Sequence, residues 1–193
     1  MPTQPEAVLE AKLIKQLISL DYEQVNVVNE DELLVNLKSQ LEKQNQTAFS
    51  NEEFKRITNH LSKGTAFEKA KILRDKFALA RNDGTTKWIE FLDTENWCQN
   101  LFQVTSQVTI EGSYKNRYDV TLLINGFPLV HIELKKRGNE IKKAFNQVNR
   151  YQRHSFQENS AIFGYVQIFI ISNGVNTCLL YTSDAADDLL CVD

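Results

Sequence analysis

The sequence predicts a single α/β (α+β) domain with a mixed central sheet flanked by helices and an N-terminal helical portion. Three observations carry that prediction. Apolar residues recur at three- and four-residue spacing through the first part of the chain, to about Arg81. Runs rich in β-branched and aromatic residues, bounded by turn signals, dominate from Lys87 onward. A helical pattern then returns before a last, wholly apolar strand. The composition agrees: 42% of the 193 residues are hydrophobic and 24% charged, with 7 Gly and 3 Pro, which excludes collagen-like, low-complexity and largely disordered classes.

Glu6–Leu20 reads as an amphipathic helix through Leu9, Leu13, Leu17 and Leu20. Tyr22–Val28 reads as a strand, and Glu30–Lys43 as a helix with Leu33, Leu34, Leu37 and Leu41 on its apolar face. Ser50 followed by Glu53, and Thr65 followed by Glu68, are capping-box signatures. They open one helix to about Ser62 and another to about Arg81. Asp83-Gly84 marks a turn. Strands follow at Lys87–Leu92, Phe102–Glu111, Arg117–Ile124 and Leu129–Lys135, with the hairpin dipeptide Asn125-Gly126 between the last two. Asn139–His154 is helical, and Tyr165–Ser172 is an apolar strand of the fully buried kind.

The longest apolar stretches, Val166–Ile171 and Phe127–Leu134, fall far short of the ~20 residues that span a bilayer. No basic segment followed by an apolar one opens the chain, so no secretory signal and no membrane association are expected. Cys98, Cys178 and Cys191 are widely spaced and give neither a disulfide framework nor a zinc pattern, so a reducing cytoplasm is the expected setting. The net charge of −3 is unevenly spread. Residues 115–154 hold nine Lys and Arg against three acids, a local excess of +6. Screening acts over ~8 Å at physiological salt, so such a segment can meet phosphates whatever the total charge.

The three acids inside that basic run include Asp119 and Glu133. In the strand Leu129-Val-His-Ile-Glu-Leu-Lys135, His131, Glu133 and Lys135 share one face. Residues two apart on a strand stand about 6.6–6.8 Å from each other and point the same way. Two carboxylates converging on one point make a hard-oxygen site suited to Mg²⁺. A neighbouring lysine can orient an attacking water or offset charge building on a phosphate. A strict two-residue Asn-Gly hairpin, however, sets Asp119 opposite Ile132, on the wrong face. Convergence with Glu133 therefore requires a bulge, a longer connection or a splay of the strands. On the following helix Gln147 and Tyr151, four residues apart, border its apolar face.

Asp119, a hairpin, Glu133-x-Lys135 and a helix bearing Gln147-x-x-x-Tyr151 occur in one order that resembles the PD-(D/E)xK nuclease superfamily. The wording YDVTLLINGFPLVHIELKKRG, then QVNRY and FIISNGVNT, is similar to the N-terminal endonuclease domain of the restriction (R) subunit of type I restriction-modification enzymes. The resemblance implies Asp119 and Glu133 as ligands of Mg²⁺, Lys135 as the catalytic lysine, and Gln147 and Tyr151 as motif residues near DNA. It also implies a first-helix carboxylate at the metal, Glu10 or else Glu6. Arg117 and Lys136 are phosphate contacts on charge grounds. Tyr118 stands where the superfamily name has Pro.

The implied function is that of a type I site-specific deoxyribonuclease. Its Mg²⁺-dependent endonuclease domain cuts double-stranded DNA non-specifically within an ATP-dependent translocating complex that includes modification and specificity subunits. The chain carries no G-x-x-x-x-G-K-[ST] phosphate loop, so ATP dependence is expected to belong to motor domains of a longer parent. Residues 1–177 are expected to form the nuclease domain, helical to about residue 82 and with its core at 83–177. The last sixteen residues, four Asp among them and no Lys or Arg, read as a non-native read-through tail. The same basic face also suits a non-catalytic DNA-docking module, and the length suits a standalone repair nuclease.

Overall fold

The computed structural model describes residues 5–111, 115–136, 162–181 and 190–192. Helix α1 (Glu6–Ile18) leads through a two-residue strand β1 (Glu23–Gln24) into α2 (Glu30–Asn45), α3 (Asn51–Leu61) and α4 (Ala66–Arg74). A hairpin of β2 (Phe77–Ala80) and β3 (Thr86–Ile89) follows. Then come β4 (Phe102–Glu111), β5 (Lys115–Ile124), β6 (Phe127–Leu134), β7 (Ile168–Ser172), β8 (Thr177–Tyr181) and β9 (Leu190–Val192). Both expected capping boxes form: the Ser50 and Thr65 side chains accept from the backbone of Glu53 and Glu68, whose carboxylates return the bond. The expected helix at Asn139–His154, with Gln147 and Tyr151, lies outside the described residues.

Among the described residues the main sheet is mixed, in the order β1-β4-β5-β6-β7-β8-β9. The β1–β4 and β6–β7 pairs are parallel and the others antiparallel. Burial divides into two clusters. The larger joins α2, α3 and α4 through Leu33, Leu37, Leu41, Ile57 and Leu73 to sheet residues such as Val108, Tyr118, Phe127 and Phe169. The smaller packs Ile14 and Leu17 of α1 on Val104, Val120, Ile132 and Leu134. At about 25 cal/mol per Å² of apolar surface removed from water, these clusters supply the main drive for folding. No described helix is long and apolar enough to cross a membrane.

Three elements differ from the sequence reading. The helix from Thr65 stops at Arg74, and Phe77–Ala80 pairs antiparallel with Thr86–Ile89 across the Asp83-Gly84 turn. The Ala- and Leu-rich wording favours helix locally, but Leu79 reaches full burial only in the hairpin, and tertiary pairing overrides propensity. The strand expected at Tyr22–Val28 keeps only Glu23–Gln24. Past that point the Thr105 hydroxyl bonds both the N–H and the carbonyl of Val27, replacing a ladder pair. Tyr165 ends a 3₁₀ turn, and the apolar strand begins at Ile168. In addition, Cys178 is buried and disulfide-bonded, which the cysteine spacing gave no sign of.

Candidate active site

The site is built on β5 and β6, joined by Asn125-Gly126. Both turn residues have left-handed backbone, φ +49° and +84°, as a two-residue hairpin of this hand requires. Asn125 is buried and fully used. Its side-chain oxygen accepts from the Leu101 N–H at 2.7 Å, and its amide donates to Phe91 O at 3.0 Å and Asn100 Oδ1 at 2.8 Å. Gly126 lies against α2, where a Cβ would come 2.7 Å from the Leu37 Cα.

Down the hairpin Ile124 pairs with Phe127 and Leu123 with Pro128, but Leu122 pairs with Val130. Leu129 is thus a bulge residue, and every pair beyond it moves by one. Val120 stands opposite Ile132, and the same register carried one step further sets Asp119 level with Glu133.

Glu133 is wholly buried. Its Oε1 accepts from Lys135 Nζ at 2.6 Å, and its Oε2 lies 3.3 Å from His131 Nε2. The Leu134 N–H donates to Asp119 Oδ2 at 2.8 Å, so Asp119 is held by the backbone of the strand that carries Glu133. Burial pushes the Asp119 carboxyl up, and the Glu133 charge pushes it further, to about 6 against the bonds and charges of Leu134, Lys135 and His131. Burial alone would also raise Glu133, but the hydrogen bonds and charges of His131 and Lys135 outweigh it and hold Glu133 below the usual range. Burial works against the Lys135 ammonium too, yet Glu133, Asp119 and Glu6 together raise it. The arrangement is two carboxylates and one ammonium, with Asp119 the group short of a compensating cation.

The donor set fits Mg²⁺ better than a metal held in a full protein cage. Its oxygens are hard, and Mg²⁺ takes one or two carboxylates while keeping waters for substrate phosphate. Among the described residues no three His, Cys, Asp or Glu side chains converge as a ready-made cation site. Both Glu133 oxygens already carry a polar contact, but a carboxylate oxygen has a second lone-pair direction in which to meet a cation.

The remaining expected residues distribute around this centre. Arg117 and Lys136 are exposed, two residues before Asp119 on β5 and just past the end of β6. Glu6 accepts from the Lys136 N–H at 3.0 Å, and Glu10, one turn along α1, accepts from the Gln107 side-chain amide of β4. Tyr118 fills the main core, stacked on Phe163 with centroids 4.8 Å apart and edge-on to His131 at 4.8 Å. Gln147 and Tyr151 lie outside the described residues.

The sequence places His131 on the Glu133 face by spacing and favours a packed neighbour there; its contact with Oε2 depends on burial, which spacing does not give.

Comparison with known proteins places the chain in a family. Residues 3–188 match the family described as Type I restriction enzyme R protein N terminus. The chain is 46% identical over 189 residues to the Type I restriction enzyme SsaAORF53P endonuclease subunit of Staphylococcus saprophyticus, covering 95% of this chain and 20% of that protein. It is 44% identical over 190 residues to the SauMSSORF170P endonuclease subunit of Staphylococcus aureus, covering 96% of this chain and 20% of that one. Against the EcoprrI endonuclease subunit of Escherichia coli it is 39% identical over 180 residues, covering 90% and 58%. The chain spans about one fifth of the length of the staphylococcal relatives. With a match that runs from α1 past β8 and so includes every strand of the carboxylate–lysine centre, the chain belongs to the family of type I restriction enzyme R-protein N termini.

Proposed function

We propose that the chain is the Mg²⁺-dependent endonuclease domain of a type I restriction-modification system, built on a PD-(D/E)xK core. In this reading it hydrolyses phosphodiester bonds of duplex DNA without regard to local sequence. It acts within a translocating complex whose ATP-driven motor, modification and specificity functions belong to the rest of the parent subunit and to its partners. The observation that carries the reading is the level pair Asp119 and Glu133 with Lys135 Nζ 2.6 Å from Glu133. The names of the relatives, each an endonuclease subunit, support it.

Asp119 and Glu133 are the residues that would hold the cation, which when bound supplies positive charge against the phosphate and its leaving oxygen. Lys135, fixed by Glu133 and half-buried, presents its ammonium to the attacking water and to charge developing on the phosphoryl oxygens. His131 anchors Glu133 from the buried side and keeps that carboxylate ionised and in one orientation. Arg117 and Lys136 provide exposed charge on either side for the DNA backbone, and Gln147 and Tyr151 are the further DNA contacts this reading assigns.

The test uses the complete R subunit assembled with its partners. Asp119→Ala, Glu133→Ala and Lys135→Ala should each reduce cleavage of a circular plasmid by at least about a hundredfold. ATP hydrolysis should persist in all three. Cleavage at the wild-type rate in any of them would overturn the assignment.

A further inference from the structure

At the level of Asp119 the main sheet forks. The β5–β6 ladder ends at the pair Val120–Ile132. Beyond it β5 stays with β4 as far as Lys115–Glu111, while β6 stays with β7 as far as Leu134–Ser172. Carried two residues further, the β5–β6 register would set Leu134 opposite Tyr118. The Leu134 N–H is taken instead by Asp119 Oδ2 at 2.8 Å. The Asp119 carboxylate thus stands in for a ladder acceptor at the root of the fork, with Glu133 and Lys135 on the facing strand.

Directly across β4 from Asp119 lies Gln107, between the pairs Ser106–Val120 and Val108–Tyr118. Its φ of +58° is left-handed, a conformation that residues other than glycine rarely adopt inside a strand. At this residue the alternation of sides breaks. Val104 and Val120 pack in the cluster under α1, whereas Val108 and Tyr118, an even number of residues away on the same strands, pack in the main core. The β4–β5 pair therefore turns over as a unit at the fork, and Tyr118 comes edge-on to His131, the residue that contacts Glu133. Backbone strain of this kind persists only where the surroundings hold it, and it collects at functional sites. The Gln107 side-chain amide, for its part, donates to Glu10 and ties α1 to β4.

We propose that the left-handed backbone of Gln107, rather than its amide, makes it a positioning residue for the hydrolysis. It turns the β4–β5 pair out of the sheet at Asp119, so that this carboxylate meets the Leu134 N–H and is held level with Glu133. The role in hydrolysis rests on the nuclease reading above, whereas the fork itself does not. A β5 that continued flat along β6 would give the Leu134 N–H a main-chain acceptor and leave the Asp119 carboxylate without its fixed bond. A catalytic group misplaced by about 1 Å costs on the order of a hundredfold in rate, so a residue that touches no reacting atom can govern the reaction through its backbone.

The test compares wild type with Gln107→Gly, Gln107→Asn and Gln107→Val. Glycine and asparagine accept the left-handed region, and β-branched valine does not. Two quantities are read on the chain: the Mn²⁺ Kd by calorimetry, and hydrogen exchange at the Leu134 and Ile132 amides by NMR. Gln107→Gly and Gln107→Asn should keep both at wild-type values. Gln107→Val should raise the Kd about tenfold or more, and Leu134 should lose its protection while Ile132, still in the ladder, keeps it. General destabilisation would not single out Leu134. Should the valine chain fail to fold, Gln107→Ala, a smaller change that the left-handed region also disfavours, carries the same comparison. Wild-type Kd and Leu134 protection in the folded valine or alanine variant overturn the proposal. A glycine variant as impaired as the valine one overturns it too, by assigning the role to the amide. Leu134 protection lost as expected, with no Mn²⁺ uptake even by wild type, upholds the fork and overturns the cation reading instead.

Discussion

Asp119 stands level with Glu133 because Leu129 has no residue opposite it in the β5–β6 ladder. Counted strictly from the Asn125-Gly126 turn, Asp119 would face Ile132, and the two carboxylates would lie on opposite sides of the sheet. A one-residue bulge thus decides whether the two acids face each other at all. Because the pair is coupled, removing one charge must change the other group. Glu133→Gln should lower the Asp119 midpoint from about 6 toward its ordinary value, leaving the remainder of the rise to burial. Carbon-detected NMR titration of the Asp119 carboxyl checks this, and an unchanged midpoint would show that the two groups do not face each other.

Asp119 also makes stability depend on pH in a direction that can be stated. Its folded value, about 6, lies above its ordinary 3.8. The native state therefore holds its proton longer than the unfolded state does. The stability this contributes is complete below about pH 4 and is lost as pH rises through about 6. Asp119→Asn has no such loss and can still accept from the Leu134 N–H. In buffer free of divalent cations the variant should be more stable than wild type at pH 8 by about 1–2 kcal/mol, a figure discounted for the partly exposed carboxyl, and no more stable at pH 4. Urea denaturation at the two pH values measures both. A variant that is less stable at pH 8 would contradict the burial and repulsion described for Asp119.

The hairpin turn carries a purely structural prediction. Gly126→Ala places a methyl group 2.7 Å from the Leu37 Cα, at a residue whose φ of +84° already disfavours alanine. Neither backbone can yield without disturbing α2 or the turn. The substitution should cost about 2–4 kcal/mol in folding stability, read as a lowered melting temperature. A melting temperature unchanged from wild type would mean that α2 does not rest on this turn.

How much of this was legible in the sequence differs by element. Capping boxes at Ser50 and Thr65 and the Asn125-Gly126 turn are local chemistry, and they form where the residues indicate. Asp119, Glu133 and Lys135 stood out because charge in an apolar strand demands a reason, and the need for a bulge followed from counting residues. Its position at Leu129 does not follow from that count, although Pro128 beside it, which cannot donate to a ladder, is the residue type that marks a bulge inside a sheet. Phe77–Ala80 misled because its local wording suits a helix, while its burial against the core is non-local. The ladder break at Thr105 arises from strands far apart in the chain, which no spacing rule reaches, and the burial that brings His131 onto Glu133 is set by the packed core rather than by their two-residue spacing.

The central claim is that Asp119 and Glu133 together hold one divalent cation beside Lys135. Crystals of the chain grown or soaked with Mn²⁺, measured for anomalous scattering, test it most directly. A single strong peak should lie within about 2.0–2.4 Å of a carboxylate oxygen of both Asp119 and Glu133. A peak at some other group of side chains, or none at a Mn²⁺ concentration that saturates cleavage by the full complex, would contradict it.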